Sequence, residues 1–289
     1  MKLEGRRTSD NVDDRRRSGG KTTAGLGIGG LIIVGIITWL SGGNLMDVVS
    51  SLLGSGQLSN LTQTGAAHVP SAKEDAMATF SSQILAATED VWTKEFAKMG
   101  RNYVPPKMVL YNSSTHSGCG GASSQTGPFY CPADQTVYLD ISFFDQLKDQ
   151  LGAGGDFAYA YVIAHEVGHH VQYLLGTLDK IHQMQSKANK KVSNQLSVRL
   201  ELQADFYAGI WAYYDNKMFN SLEPGDIEKG LNAASAIGDD RLQMQSQGYT
   251  VPDAFNHGTS AQRVRWLKKG AIGGQMADGD TFSPDYSAL

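Results

Sequence analysis

An α+β fold, mostly helical with a small sheet and preceded by one transmembrane helix, is the class that this 289-residue sequence predicts. Three features predict it. Two short stretches read as strands, one of them alternating and β-branched, several longer ones repeat apolar residues at threes and fours, and one early stretch runs twenty residues without a charge. At 41% apolar and 19% charged residues the chain can bury a core.

The first element is a basic tail, residues 1–23. Residues 1–21 carry seven Lys/Arg against four Asp/Glu, leaving 18 basic and 25 acidic residues beyond them. The acidic remainder excludes nucleic acid as a partner, since phosphate binding needs a basic face. The uncharged stretch follows, "AGLGIGGLIIVGIITWLSGG", residues 24–43. As a helix it would extend about 30 Å, the thickness of a bilayer's hydrocarbon core. Trp39 suits an interfacial position, and no small-residue cleavage site follows. Arg15, Arg16, Arg17 and Lys21 precede the span with no matching cluster after it. The charge rule then keeps the N-terminus in the cytoplasm and puts the rest outside a cytoplasmic (inner) membrane crossed once.

Residues 44–72, rich in Ser, Gly and Thr, read as a flexible tether, and residues 73–289 as the folded domain. Ala78, Phe80, Ile84, Leu85, Val91, Trp92 and Phe96 recur with helical spacing over 74–99. Pro105 and Pro106 stop that helix, and "KMVLYN" after them reads as a strand. Cys119 and Cys131 enclose a Gly/Ser-rich loop; outside a membrane such a pair predicts a disulfide, worth about 3 kcal/mol for a loop of this size. "QTVYLDI", residues 135–141, is a second strand. Its core, 136–140, alternates as the edge strand of a cleft would, available to an extended peptide. From Ser142 on, helices are expected at 142–151, 155–175, about 181–218, 226–237 and 259–269.

"VIAHEVGHHVQ", residues 162–172, carries the chemistry. Residues four apart share a helix face, so His165 and His169 present two imidazoles one turn apart, a spacing that suits zinc. Glu166 lies about 100° round from His165, within reach of a water but not of the metal, as metal-assisted hydrolysis requires of a general base. His170 points away and reads as packed or second-sphere. Burying His and Glu in an apolar helix without compensation is costly, and Gly168 weakens a helix by about 1 kcal/mol relative to Ala. Such a glycine often admits a neighbouring element. A third histidine six residues on is missing, because Gln172 and Leu175 stand where a Gly and a His would be needed. "RLELQADFYAGIW", residues 199–211, instead supplies Glu201 as third ligand and Asp205, one turn later, to fix a histidine tautomer.

H-E-x-x-H followed by E-x-x-A-D resembles the gluzincin zinc peptidases, including the M48-type membrane proteases. The whole chain is most similar to the neutral zinc metallopeptidases of bacteria, through "GPFYCPADQTVYLD", "IAHEVGHHVQ", "ELQADFYAG" and "FNHGTSAQRVRW". The resemblance implies a zincin-like fold, one zinc ion and hydrolysis of a peptide or protein substrate. It also implies that His257 faces the cleft to stabilise an oxyanion, and that Arg263 anchors that segment or a substrate carboxylate. The rival reading is a non-catalytic metal-containing scaffold or chaperone-like partner of a membrane complex. Glu166 separates the two, because a structural metal site has no use for a general base.

Overall fold

The computed structural model describes residues 1–17 and 68–289. The expected span at 24–43 lies outside the described residues, as does most of the tether. Among the described residues no helix is long and apolar enough to cross a membrane.

The architecture is a mixed α/β domain, mostly helical, with a four-stranded sheet and a separate two-stranded hairpin. Helix α1 (Ala72–Lys98) begins at a reciprocal cap: the Ser71 hydroxyl accepts from the Glu74 amide while the Glu74 carboxylate accepts from the Ser71 amide. Its inner face buries Ile84, Leu85, Val91, Trp92 and Phe96. Strands β2 (Lys107–Tyr111) and β6 (Thr136–Asp140) pair in parallel with Val109 opposite Tyr138. Strand β5 (Phe129–Cys131) closes one side antiparallel to β6, with Tyr130 opposite Val137. Between them the hairpin β3 (Ser114–Ser117) and β4 (Gly120–Ser123) projects from the sheet as its own ladder, and Cys119 is joined to Cys131.

The sheet order is β1 (Val12–Asp14), β2, β6, β5. This corrects two expectations. Strand β6 is interior and all five of its residues are buried, so the alternation of "TVYLD" does not mark an edge. The edge on that side is β5. The N-terminal stretch, expected as a tail apart from the domain, is part of it: β1 (Val12–Asp14) pairs in parallel with β2. The parallel partner and the acidic groups that receive Arg6 and Arg7 come from the rest of the domain.

The helical body follows as α2 (Phe143–Asp149), α3 (Asp156–Leu175), α4 (Thr177–Gln185) and α5 (Lys190–Phe219), then α6 (Asp226–Ala236), α7 (Asp239–Gln247) and α8 (Ser260–Gly273). The stretch expected as one helix near 181–218 is thus two. Asn189 starts the second by accepting the Val192 amide, 3.0 Å away. Helices α3 and α5 cross at the centre. A Cβ on Gly168 would stand 2.9 Å from the Ala204 carbonyl oxygen and 3.1 Å from its Cα, so only glycine permits this approach. That crossing brings residues 165–169 against 201–205.

Candidate metal centre

One ligand atom from each of His165, His169 and Glu201 lies within 4.8 Å of the others. Helical spacing puts the two imidazoles on one face of α3, their rings 4.9 Å apart and nearly perpendicular. The α3–α5 crossing then delivers Glu201, whose carboxylate oxygens stand 3.1 Å from His165 Nε2 and 3.4 Å from His169 Nε2.

The outer ring nitrogens set the tautomers. His165 Nδ1 is 2.8 Å from Asp205 Oδ1, and His169 Nδ1 is 2.9 Å from Gln172 Oε1. Both partners accept, so each ring donates from Nδ1 and turns Nε2 toward Glu201. Two unshared nitrogens and one carboxylate converging on a point are the donor set zinc takes, and the residues fit one ion. Asp205 was expected from the sequence. Gln172 was not, although its position three residues after His169 on the same helix face could have signalled it. It is held in turn: its Nε2 donates to the Leu200 carbonyl, 2.7 Å, and to Gln203 Oε1, 3.2 Å.

Asp205 is the hub behind the site. It accepts from the Tyr161 hydroxyl at 2.6 Å, from His165, and from Arg263 Nε and Nη2 at 2.8 and 2.9 Å. Burial alone would raise its carboxyl; Arg263 and His165 outweigh that and bring it to about 2. Burial likewise opposes charge on His165, but Asp205 and then Glu201 carry its pKa up to about 10 without metal. Glu201 is held well below the carboxylate range, since His169 and His165 outweigh its burial. Arg263 is almost fully enclosed; it anchors α8 to Asp205 and lies at the wall of the cleft.

Glu166 stands beside the ligands in a cleft of about 540 Å³. Burial raises its pKa against the lowering pull of His165 and His169, with a smaller lowering from the Tyr130 backbone amide of β5 that faces it. His257 lines the same cleft, half-exposed. Asp239, at the start of α7, accepts from the backbone amides of Asn256, His257 and Gly258 at 2.8, 2.7 and 3.0 Å. Its second oxygen meets His257 Nδ1 at 3.1 Å. Burial works against charge on that imidazole, yet Asp239 raises its pKa. Asp239 was invisible in the sequence because it precedes His257 by 18 residues, in a stretch between two expected helices.

His170 answers for the third histidine of the motif. Its ring is fully buried, with Nδ1 2.9 Å from the Tyr130 hydroxyl and Nε2 2.7 Å from the Val104 carbonyl. It pins β5 to α3 as a neutral group, its pKa lowered by burial to about 4.

The chain is similar to known proteins along nearly its whole length. The protein YpfJ of Escherichia coli (strain K12) is 50% identical over 289 residues, covering 98% of this chain and 99% of that one. The protein Mb2605 of Mycobacterium bovis is 47% identical over 191 residues, covering 63% and 64%. No solved structure matches. Residues 1–282 match the family described as "Putative neutral zinc metallopeptidase". With the His-Glu-x-x-His helix and its distal glutamate forming a zinc metallopeptidase active site, the chain belongs to that family.

Proposed function

We propose that the protein is a zinc endopeptidase of zincin-like design, tied to a membrane through residues 24–43. The observation that carries this reading is the convergence of His165, His169 and Glu201 beside a buried Glu166 in an open cleft. Zinc, when bound, supplies a Lewis acid and lowers the pKa of water at the site.

The chain's own residues do the rest. Glu166, with its pKa raised by burial, accepts a proton from water and passes it to the leaving nitrogen. The Tyr130 amide orients that carboxylate. His257, held by Asp239, faces the oxyanion that forms on the scissile carbonyl. Asp205 and Gln172 hold the liganding imidazoles, and Arg263 holds Asp205. A purely structural metal site would leave Glu166 buried beside it with no task, at the cost of desolvating a carboxylate.

Incubating the detergent-purified full chain with casein and with a peptide library tests the reading. Zinc-dependent cleavage, lost to a chelator and restored by zinc, is expected. A fully zinc-loaded protein that cuts neither would overturn it.

A further inference from the structure

We propose that residues 1–17 and residues 68–289 lie on the same side of the membrane, against the single crossing that the sequence predicts. The inference stands apart from the peptidase reading and rests on how the N-terminal segment is built into the domain.

The segment is bonded at every level. Strand β1 pairs with β2 through Val12 opposite Met108, Asp13 opposite Val109 and Asp14 opposite Leu110. The ladder is framed by the Met108 amide donating to the Asn11 carbonyl and the Arg15 amide donating to the Leu110 carbonyl, each at 2.8 Å. Arg6 grips Asp215 of α5 with two nitrogens, at 2.7 and 3.3 Å, and stacks 3.9 Å over the Phe219 ring. Ser9 and Asn11 donate to Glu89 of α1 at 2.5 and 2.8 Å. Arg16 joins Asp14 and Asp75.

The acceptors show what these bonds do. Asp215 is 1% exposed and Glu89 is 8% exposed. With the segment in place, Arg6, Ser9 and Asn11 supply the partners that these sealed carboxylates require. The folded domain therefore holds the segment at bonding distance. A single crossing by residues 24–43 would instead leave it beyond about 30 Å of hydrocarbon.

Arg6 and Arg7 pair with Asp215 and Asp90 of the helical body, and Arg16 with Asp14 and Asp75, so these basic residues are anchored in the fold.

Two single-cysteine reporters in the full chain test this, Asp10→Cys and Gln245→Cys, both at exposed positions. The parent chain, whose two cysteines Cys119 and Cys131 are joined, is labelled alongside each reporter and its signal subtracted. Intact spheroplasts and lysed cells expressing each variant are treated with a membrane-impermeant maleimide. The expected result is one pattern for both reporters: both labelled in intact spheroplasts, or both labelled only on lysis. One reporter labelled in intact spheroplasts and the other only on lysis would overturn the proposal. A second pair, Glu4→Cys with Met244→Cys, repeats the comparison at other exposed positions in case a first variant does not accumulate.

Discussion

Arg263 and Asp205 meet in a two-point ion pair, Nε to Oδ2 at 2.8 Å and Nη2 to Oδ1 at 2.9 Å, with both side chains essentially sealed from solvent. The pair ties α8 to α5 directly behind the metal ligands. Removing one partner of such a pair strands the other charge. Asp205→Ala should therefore cost about 3–5 kcal/mol of stability. Urea unfolding of the purified protein measures it, and a change within about 0.5 kcal/mol would mean that the pair carries no weight.

Zinc content separates ligands from their supports. His169→Ala and Glu201→Ala should lose most of the metal in elemental analysis. Gln172→Ala should retain the site but weaken zinc affinity by about 10–100-fold, because it removes the acceptor that orients His169. Full zinc retention in both ligand variants would sink the assignment.

Glu166→Gln should keep its zinc and lose about 100-fold or more in peptide turnover, since the side chain is assigned a proton and no metal. Measuring both quantities on one preparation makes the result decisive. Metal loss in this variant would make Glu166 a ligand, and undiminished turnover would remove the general-base role.

Gly168→Ala should destabilise the protein by about 1–3 kcal/mol, because the added methyl meets the Ala204 backbone and forces α3 from α5. Gly121→Ala, where an added Cβ meets nothing within 4 Å, serves as the comparison and should be near neutral. Equal thermal midpoints for the two variants would show that the helix crossing tolerates widening.

The interior position of β6 moves the substrate question to β5. Alternate residues of a strand point their backbone groups to the same side, and Tyr130 aims its amide at Glu166, away from β6. The neighbouring positions of that parity are Pro128 and Pro132, which have no N–H. An extended peptide docked at this edge would donate to backbone carbonyls and receive no amide from those prolines. Single N-methylation across a good peptide substrate should then lower kcat/KM by about tenfold at the position facing the Tyr130 carbonyl. Uniform tolerance along the peptide would exclude docking at β5.

Much of the centre is legible in the sequence because its signals are local. His165, Glu166 and His169 follow from one helical turn, and Glu201 with Asp205 from the next turn-spaced acidic pair on a long apolar helix. Gln172 was equally local and was missed because an amide near a histidine has no special prior. Asp239 could not be read, since its contact with His257 depends on how the chain folds back before α8. Strand β1 was hidden for another reason. "VDD" has neither length nor apolar character, and it is a strand only because β2 offers it a partner. The alternation in β6 misled because "TVYLD" buries both of its faces. Helix α4 merged with α5 because neither Gly nor Pro stands between Ser186 and Asn189 to signal the break.

The Cys119–Cys131 bond closes a loop whose later part, Thr126 to Tyr130, forms one wall of the cleft. Catalytic residues and wall thus answer to different chemistries. The imidazoles and carboxylates respond to metal and protons, and the wall responds to the thiol poise of its surroundings. In an oxidising compartment the wall is fastened at Cys131, the end of the strand that carries the amide facing Glu166. In a reducing one the hairpin would be tethered only by its backbone, with the same active groups behind a looser rim.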